Sequence, residues 1–459
     1  MHEPMLSLNQ LVDELQPTET PDLLPDLQIT GVSTDTRSIC SGELFVALRG
    51  ENFDGHEFIT DAVEKGAVAV IAETNAEVPP TIEVPLIRVE STVHALGAVA
   101  LVWRRQCGAR VVAITGSAGK TTTKDMVVAI LKRAGSTTYT HATENNEIGV
   151  AQTLLRMKHD DDYCVLEFGM RGAGEIDYLA GISQPDVSVI TNVGDAHVGL
   201  LGSREAVAQA KAEILHHLPA EGIAVLNRDD FFFDLMANMT AARVVSFGFE
   251  TADVCIADLA LDGLEGSTAT IQLPTGERLA LNLQVPGRHS ALNAAAATAV
   301  AYALGVDPAC IQEGLSSFTG SDMRSQVLTA SGGYTVINDA YNASPTSVPP
   351  ALEMLAQASG RKLFVFGDML ELGPFAQQAH EDIGRLAVRH GIELMVGVGP
   401  MAAVAVDYAA QSGVETYKTD DADEAAILVR QHVQDGDTVL AKGSRGMGLE
   451  RVVQELLRP

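Results

Sequence analysis

A glycine-rich turn between an apolar run and a helical pattern is the feature that most constrains the fold of this chain. Val111–Thr115 is apolar enough for a buried parallel strand, and residues Thr121–Ala134 carry a helical pattern. The turn between them reads Gly116-Ser117-Ala118-Gly119-Lys120-Thr121. Because glycines let the backbone turn tightly, successive N–H groups of such a loop can face a phosphate, which the positive end of the following helix also attracts. We therefore predict a phosphate-binding loop in an α/β sheet.

The residues at the end of this loop fit nucleotide chemistry. Lys120 can reach the β- and γ-phosphates, and the Thr121 hydroxyl can ligate Mg²⁺. The loop is two residues shorter than the usual G-x-x-x-x-G-K-[ST] pattern. The alternative is a glycine-rich turn with a solvated lysine, which the flanking strand and helix disfavour.

Two later strand ends supply candidate metal ligands. Glu167 ends an apolar run, where a carboxylate is costly to bury unless it is paired or bound to a metal ion. Mg²⁺ favours one or two carboxylates together with phosphate oxygens and waters, so Glu167 is a candidate ligand. His197 follows the strand candidate 187–191, at the edge where open α/β sheets bind ligands. A packed or capping histidine is the alternative for His197.

The 459 residues exceed what one hydrophobic core holds, so about three domains are expected. Short strands and turns fill the first part, and the proline-containing stretch 78–85 is interpreted as its end. Strand-like segments at 335–338, 363–366, 394–398 and 438–441 alternate with helical stretches, which predicts a second doubly wound sheet. We predict domains at 1–89, 90–319 and 320–459.

Charge and cysteine usage exclude several classes of protein. The formal charge of −29 disfavours binding to nucleic acid or anionic lipid. The N-terminus, Met1–Pro4, opens no signal-peptide pattern, and no apolar run reaches the roughly 18 residues of a membrane span. Five scattered cysteines without a C-x-x-C pair are interpreted as buried thiols in a reducing compartment. A cytoplasmic protein is expected.

Several segments together resemble the Mur ligases of peptidoglycan synthesis, over essentially the whole chain. The segments Ser33–Arg37, Gly42–Leu48 and Phe53–Phe58 resemble the family's UDP-sugar domain. Five further segments resemble the family's ATPase core: 115–123, 144–149, 167–170, 191–197 and 287–293. The resemblance implies a small N-terminal α/β UDP-binding domain, a central P-loop ATPase-type parallel sheet, and a C-terminal Rossmann-like doubly wound domain.

The resemblance also implies roles for individual residues around ATP and Mg²⁺. The loop residues Gly116, Ser117, Ala118, Gly119, Lys120, Thr121 and Thr122 would hold ATP. Thr121 and Glu167 would ligate Mg²⁺, and His197 would help hold a second ion. Lys211 matches the position of a carbamylated lysine in the family, where the carbamate would serve as an anionic ligand near the metal ions.

Further contacts with the nucleotide and the substrate follow from the same resemblance. Asn293 would contact adenine, although Ser290 stands where the family usually has an asparagine. Arg324 would meet the γ-phosphate, and Asp339 and Asn342 would lie near the ribose. The substrate-binding residues implied are Ser33, Thr34, Asp35, Arg37, Asn145 and Asn146.

The implied activity is ATP-dependent formation of a peptide bond through an acyl phosphate. The segments 338–345, 366–373 and 442–447 resemble the family members that act last in the series. The implied small-molecule substrates are therefore a UDP-N-acetylmuramoyl-tripeptide and D-alanyl-D-alanine, bound by a monomer. Another Mur-type ligase, a folylpolyglutamate synthase, a P-loop NTPase switch and a noncatalytic nucleotide-binding module remain as alternatives.

Overall fold

The structure is a computed structural model that describes residues 5–19, 27–50, 53–142, 144–249 and 251–459. Residues 1–4, on which the expectation about a signal peptide rests, lie outside this part of the chain. No helix among the described residues is long and apolar enough to cross a membrane.

The N-terminal part contains two small sheets. Its elements are β1 (Leu6–Ser7), α1 (Leu8–Leu15), β2 (Gln28–Ile29), β3 (Gly31–Ser33), β4 (Glu43–Val46), α2 (Ile59–Glu64), β5 (Ala69–Glu73), β6 (Leu86–Val89) and α3 (Thr92–Gln106), with a 3₁₀ turn at Gly55–Phe58. Strands β1 and β2 pair antiparallel, and β3-β4-β5-β6 form a parallel sheet. The residues that follow each strand at its carboxyl end therefore share one edge of this sheet.

The interpretation of the proline-containing stretch 78–85 as the end of the first part is wrong. Strand β6 follows that stretch directly and pairs with β5 through Val70–Leu86 and Ile71–Ile87. The stretch is a connection within the sheet. A four-residue strand in which half-buried and buried positions alternate is too short to give a clear periodic signal.

The central part forms a nine-stranded sheet in the order β15-β14-β13-β12-β11-β10-β7-β9-β8. Its strands are β7 (Arg110–Thr115), β8 (Thr137–Tyr139), β9 (Tyr163–Glu167), β10 (Val187–Ile190), β11 (Ile223–Asn227), β12 (Arg243–Gly248), β13 (Val254–Asp262), β14 (Gly266–Gln272) and β15 (Arg278–Leu283). Strands β7, β10, β11 and β12 run parallel. Of these, β7 and β10 were predicted, from the apolar segments 111–115 and 187–191. The antiparallel strands β13–β15 extend this sheet, and in β15 exposed and buried residues alternate.

Helices connect these strands. They are α4 (Lys120–Ala134), α5 (Glu147–Leu155), α6 (Glu175–Ser183), α7 (Val198–Leu201), α8 (Arg204–Ala212), α9 (Phe233–Ala237), α10 (Arg288–Ala303) and α11 (Pro308–Ser316), with a 3₁₀ turn at Glu213–Leu215. The alanine-rich helix α10 is buried along most of its length, because its small side chains allow close packing.

The C-terminal part is a six-stranded sheet in the order β16-β17-β21-β18-β19-β20. Its elements are β16 (Gln326–Thr329), β17 (Thr335–Asn338), α12 (Val348–Ala356), β18 (Lys362–Gly367), α13 (Ala376–Arg389), β19 (Leu394–Val398), α14 (Ala402–Gln411), β20 (Glu415–Thr419), α15 (Ala422–His432), β21 (Thr438–Lys442) and α16 (Glu450–Leu457), with 3₁₀ turns at Gly373–Phe375 and Arg445–Met447. All neighbours are parallel except β16 and β17.

Two cores cover the two faces of this sheet, as in a doubly wound fold. Phe364 and Phe366 pack with helices α12, α13 and α14, whereas Leu363 and Val365 pack with α15 and α16. Because successive side chains of a strand point to opposite faces, both faces of β18 are apolar and the strand reads as one continuous hydrophobic run. That is why the sequence pattern identified it.

The chain divides into two compact units, each built from separate segments. The first comprises Met1–Val111, Ser136–Gly169 and Asp177–Pro185, and the second comprises Val112–Gly135, Met170–Ile176 and Asp186–Pro459. All five cysteines are free, but the expectation that all are buried holds only for Cys107 and Cys164, because Cys255 and Cys310 are half-buried and Cys40 is exposed. Cys40 is exposed because it lies in the turn between β3 and β4.

Candidate active site

The glycine-rich loop that is predicted to bind phosphate, hereafter the phosphate loop, lies between β7 and α4, as the sequence predicts. Gly119 precedes the helix with φ +79°, and a Cβ there would lie 2.5 Å from Oδ1 of Asn293. A Cβ on Gly116 would lie 1.8 Å from Oγ1 of Thr191. Only glycine fits at either position, since any side chain would displace the neighbouring residue.

Asn192, which follows β10, fixes the middle of the loop. Its Oδ1 accepts from the N–H of Ala118 at 3.0 Å, and its Nδ2 donates to the carbonyl of Ala118 at 2.9 Å. The N–H of Ser117 donates to the carbonyl of Asn192 at 3.0 Å. The amides of Ser117 and Ala118 are thus engaged within the protein. The first turn of α4 offers the amides that lack a helical carbonyl partner.

Lys120 lies at the start of α4 and folds over the loop. Its Nζ donates to the carbonyl of Gly116 at 2.9 Å. Lys120 is also close enough to Lys211 to lower the pKa of that lysine, and it contributes to lowering the pKa of His197. The structure therefore brings together three of the predicted residues: Lys120, Lys211 and His197.

Lys211 is buried in helix α8, with 1% of its surface exposed. Burial, and secondly the positive charge of Lys120, lower the pKa of the Lys211 amine well below its usual value. Lys211 is therefore not a lysine on a solvated helix face. An amine held in this environment favours its uncharged form.

His197 precedes the short helix α7 in a left-handed conformation, with φ +64°. Its Nδ1 lies 2.8 Å from Oε2 of Glu371, which comes from the C-terminal sheet. Burial lowers the pKa of His197, and the charges of Lys211 and Lys120 act in the same direction, while Glu371 opposes them. Sequence reasoning missed Glu371 as a site residue, although it lies in the segment 366–373 that the resemblance singled out.

Asn293 and Ser290 lie on α10 and differ in their surroundings. Asn293 lies beside Gly119 of the phosphate loop. The hydroxyl of Ser290 donates to the carbonyl of Pro286 at 2.7 Å, so it forms a local hydrogen bond at the start of α10.

The predicted nucleotide contacts of the C-terminal part lie near the segment that follows α11. The guanidinium of Arg324 lies over the ring of Tyr341, 4.0 Å from its centroid. Asp339 accepts from Nζ of Lys442 at 2.6 Å and from the N–H of Ser325 at 3.2 Å. Nζ of Lys442 also donates to the carbonyl of Asn342 at 2.9 Å. Lys442 was not predicted as a site residue. Its position at the end of an apolar strand is the sequence feature that could have indicated it.

Glu167 lies in the first compact unit and is 1% exposed. Its Oε1 accepts from Nδ2 of Asn145 at 2.9 Å, whereas its Oε2 has no hydrogen-bond partner among the described residues. A buried carboxylate oxygen without a donor is costly, and a hard cation such as Mg²⁺ would satisfy it. In the part of the chain that the structure describes, no group of three or more His, Cys, Asp or Glu side chains forms a ready metal cluster.

The predicted substrate residues occupy two places in the first unit. Asn146 caps helix α5 by accepting from the N–H of Gly149 at 2.9 Å, so its side chain has a structural role. Thr34 accepts from Nε2 of Gln152 at 3.0 Å. Asp35 forms an exposed ion pair with Arg37, whose hydrogen bonds lower the pKa of Asp35 to about 2. Ser33 accepts from the N–H of Asp35, which shapes this turn.

Three family profiles match successive parts of the chain. The Mur ligase family catalytic domain matches residues 28–104, the Mur ligase middle domain matches 114–301, and the Mur ligase glutamate ligase domain matches 323–445. The phosphate loop, His197 and Lys211 lie in the second match, and Asp339 and Glu371 lie in the third.

Full-length relatives agree with these profiles. A UDP-N-acetylmuramoyl-tripeptide–D-alanyl-D-alanine ligase from Synechocystis is 36% identical over 95% of this chain and 94% of its own length. A crystal structure of MurF from Acinetobacter baumannii is 33% identical, has a TM-score of 0.89 and is covered over 99% of both chains. MurF from Thermotoga maritima in complex with ADP is 30% identical, has a TM-score of 0.81 and is covered over 93% of this chain and 96% of its own. The chain has the three-domain α/β fold of these proteins and belongs to the Mur ligase family.

Proposed function

We propose that the protein is an ATP-dependent ligase that joins D-alanyl-D-alanine to a UDP-N-acetylmuramoyl-tripeptide. The products are the UDP-N-acetylmuramoyl-pentapeptide, ADP and phosphate. The observation that carries this proposal is full-length similarity to ligases of that name in a chain whose phosphate loop, Lys120, Lys211 and His197 lie together. An NTPase switch has no need of a C-terminal sheet that contacts this cluster through Glu371.

The reaction needs activation because a carboxylate is inert towards amines at neutral pH. Its oxygen attacks the γ-phosphorus of ATP, the bond to the bridging oxygen breaks, and ADP leaves. The resulting acyl phosphate reacts with the amine of the dipeptide and expels phosphate, and the amine loses a proton. Lys120 offsets the repulsion between the carboxylate and the triphosphate, and the loop and the first turn of α4 orient the phosphates.

We propose Thr121, Glu167, His197 and a carbamylated Lys211 as ligands for Mg²⁺. When bound, the ion neutralises charge on the phosphate oxygens. The unpartnered Oε2 of Glu167 supports its part in this proposal. The lowered pKa of Lys211 supports carbamylation, since only an uncharged amine attacks CO₂ to give the anionic carbamate.

The remaining assignments concern substrates and surroundings. We propose that Ser33, Thr34, Asp35, Arg37, Asn145 and Asn146 serve the UDP-substrate, and that Asn293, Arg324, Asp339 and Asn342 serve ATP. We propose a monomer in the cytoplasm that acts on small molecules, since ATP and UDP-linked substrates are supplied there. The charge of −29 supports this assignment because it opposes self-association.

The substrate dependence of phosphate release tests the activity. We expect release from ATP only when the UDP-tripeptide and D-alanyl-D-alanine are present together. Lys120→Ala should abolish it, whereas Lys132→Ala, at an exposed position near the end of the same helix, should retain it. Release from ATP alone at the full rate would favour a switch or motor, and release with a different pair of substrates would favour another ligase of the family.

A further inference from the structure

The contact of His197 with a carboxylate depends on a residue far along the chain. Oε2 of Glu371 lies 2.8 Å from Nδ1 of His197, and the two residues are 174 positions apart. His197 belongs to the loop that follows β10, whereas Glu371 belongs to the loop 368–373 that follows β18. Side chains from two sheets therefore meet at this hydrogen bond.

The loop 368–373 is held by groups from three other segments. The N–H of Ala402 donates to Oδ1 of Asp368 at 2.6 Å. The N–H of Met369 donates to Nε2 of His380 at 2.9 Å, and the N–H of Leu370 donates to the hydroxyl of Ser444 at 2.9 Å. The three residues that precede Glu371 are thus fixed, and Glu371 extends from an ordered backbone.

Glu371 itself has a conformation that L-residues rarely adopt. Its φ is +62°, and the backbone of Glu371–Gly373 lies against Gly199, where a Cβ would approach the carbonyl oxygen of Glu371 to 2.6 Å. Gly199 is two residues from His197, so the same contact fixes both ends of the hydrogen bond. Non-glycine residues keep such a conformation where the surrounding structure holds it.

The hydrogen bond has a chemical consequence for the imidazole. A carboxylate accepts the proton of Nδ1 and so selects the tautomer in which Nε2 carries the lone pair. Among the described residues, His197 makes no hydrogen bond through Nε2. Because the Glu371 side chain is 40% exposed, the pair contributes little to stability. Its effect is on the orientation and basicity of the ring.

We propose that Glu371 is a positioning residue that holds His197 in the Nδ1–H tautomer and so leaves the lone pair of Nε2 available for the Mg²⁺ ion that the proposed function assigns to His197. This proposal rests on the proposed function. It adds that a residue of the C-terminal part, Glu371, orients the imidazole of His197 in the central part. The ring is held in this orientation only while the loop 368–373 lies against α7. Carboxylates behind metal-ligating histidines act in this way in general.

The tautomer of His197 provides a test that needs neither metal nor activity. ¹⁵N-histidine-labelled protein is observed at about pH 8, where imidazoles with a pKa near 6.5 are neutral, and His197→Gln assigns the signal. We expect the Nδ1–H tautomer in the wild type and in Glu371→Gln, which keeps an acceptor. Glu371→Ala should shift the signals towards the Nε2–H tautomer, and Glu353→Ala, an exposed glutamate on α12, should not. An unchanged His197 tautomer in Glu371→Ala would overturn the proposal.

Kinetics provide the second readout. Glu371→Ala should lower kcat by about 10–100-fold and leave KM for the UDP-substrate within about twofold, and Glu371→Gln should fall between it and the wild type. A Glu371→Ala enzyme with normal kcat would also overturn the proposal. If wild-type protein makes no pentapeptide, the proposed function fails, while the tautomer measurement still decides whether Glu371 orients His197.

Discussion

Lys211 is the residue whose burial is hardest to explain by packing alone. A buried ammonium beside Lys120 is doubly unfavourable, because it loses hydration and faces a like charge. Conversion to a carbamate would replace that repulsion by attraction. The same burial that disfavours the ammonium therefore prepares the amine for modification.

If Lys211 acts as a carbamate, its truncation should be chemically reversible. We expect Lys211→Ala to lose on the order of 100-fold in activity and to recover part of it with added formate or acetate, which can occupy the vacated anionic position. Steady-state rates with and without the carboxylate measure this, with Lys132→Ala as the control. A near-normal rate for Lys211→Ala would contradict the assignment.

His380 carries a pH dependence that is independent of the metal ligands. Its Nε2 accepts from Met369 and its Nδ1 donates to the carbonyl of Ala376, so the ring must be neutral. Burial lowers the pKa of His380, against the opposing effects of the Ala376 carbonyl and the nearby Asp368. Because the unfolded chain binds the proton more readily, stability should fall as pH drops below about 6.5 and level off below the folded-state pKa.

The variant His380→Gln keeps an acceptor for Met369 but does not titrate. We expect its free energy of unfolding, measured by urea denaturation, to be lower than that of the wild type at pH 8 by about 1 kcal/mol. Its loss of stability between pH 7 and about pH 5 should be smaller than in the wild type. An identical pH profile for the two proteins would show that His380 is not responsible.

At the level of single residues, the sequence identified those whose chemistry is local. The phosphate loop could be predicted because Gly116, Gly119 and Lys120 are adjacent to a strand and a helix. Glu371, Asn192 and Lys442 could not, because each acts on a residue that is distant in the sequence. A polar side chain at the end of a strand indicates a site residue only when the order of the strands in the sheet is known.

At the scale of elements, the buried parallel strands were the most predictable. Strands β7, β19 and β21 lie within one residue of the positions expected from their apolar runs, since both faces of such strands are covered. Strands β13–β15 gave no comparable signal because they are partly solvated and antiparallel. The sequence indicated that a strand ends before the loop that follows β10. It could not predict that this loop contacts the phosphate loop, because that contact depends on the pairing of β10 with β7.

The pairing of β10 with β7 yields a prediction about that loop. Asn192 makes two side-chain hydrogen bonds to the backbone of Ala118. Asn192→Ala leaves the N–H of Ala118 without its partner, at about 1–3 kcal/mol if that group stays buried. The carbonyl of Ala118 keeps the hydrogen bond from the Thr191 hydroxyl at 2.6 Å. We expect KM for ATP to rise by roughly tenfold or more, with KM for the UDP-substrate unchanged.

Asn282→Ala on the solvated strand β15 is the control, since that side chain is exposed and distant in the sheet order. Isothermal titration with an ATP analogue measures the affinity directly. Unchanged nucleotide affinity in Asn192→Ala would show that the loop keeps its shape without this side chain.

At the scale of the molecule, the sequence predicted the three-domain α/β architecture, and the family profiles fall on three successive parts of the chain. The predicted nucleotide contacts come from the central and the C-terminal sheets, so one sheet alone does not supply them. The small residues of the segment Ser317–Ser321, between α11 and β16, are suited to a hinge between the central and the C-terminal sheets. In the structure the hydroxyl of Ser321 donates to Asp125 of α4 at 2.5 Å.

Hydrogen bonds between the loop after β10 and the C-terminal part define a closed arrangement whose formation can be followed. The N–H of Asp195 donates to Oγ1 of Thr346 at 3.1 Å, and Gly194 leaves room for that hydroxyl. We predict that ATP analogue and UDP-substrate together favour this arrangement, since closure keeps water from the acyl phosphate.

Amide hydrogen exchange at Asp195 should then slow when both ligands are added. Thr346→Val, which lacks the acceptor, should lose this protection and lower kcat about fivefold, as expected for a hydrogen bond of about 1 kcal/mol, whereas Thr346→Ser should retain both. Equal exchange at Asp195 with and without the two ligands would contradict ligand-driven closure.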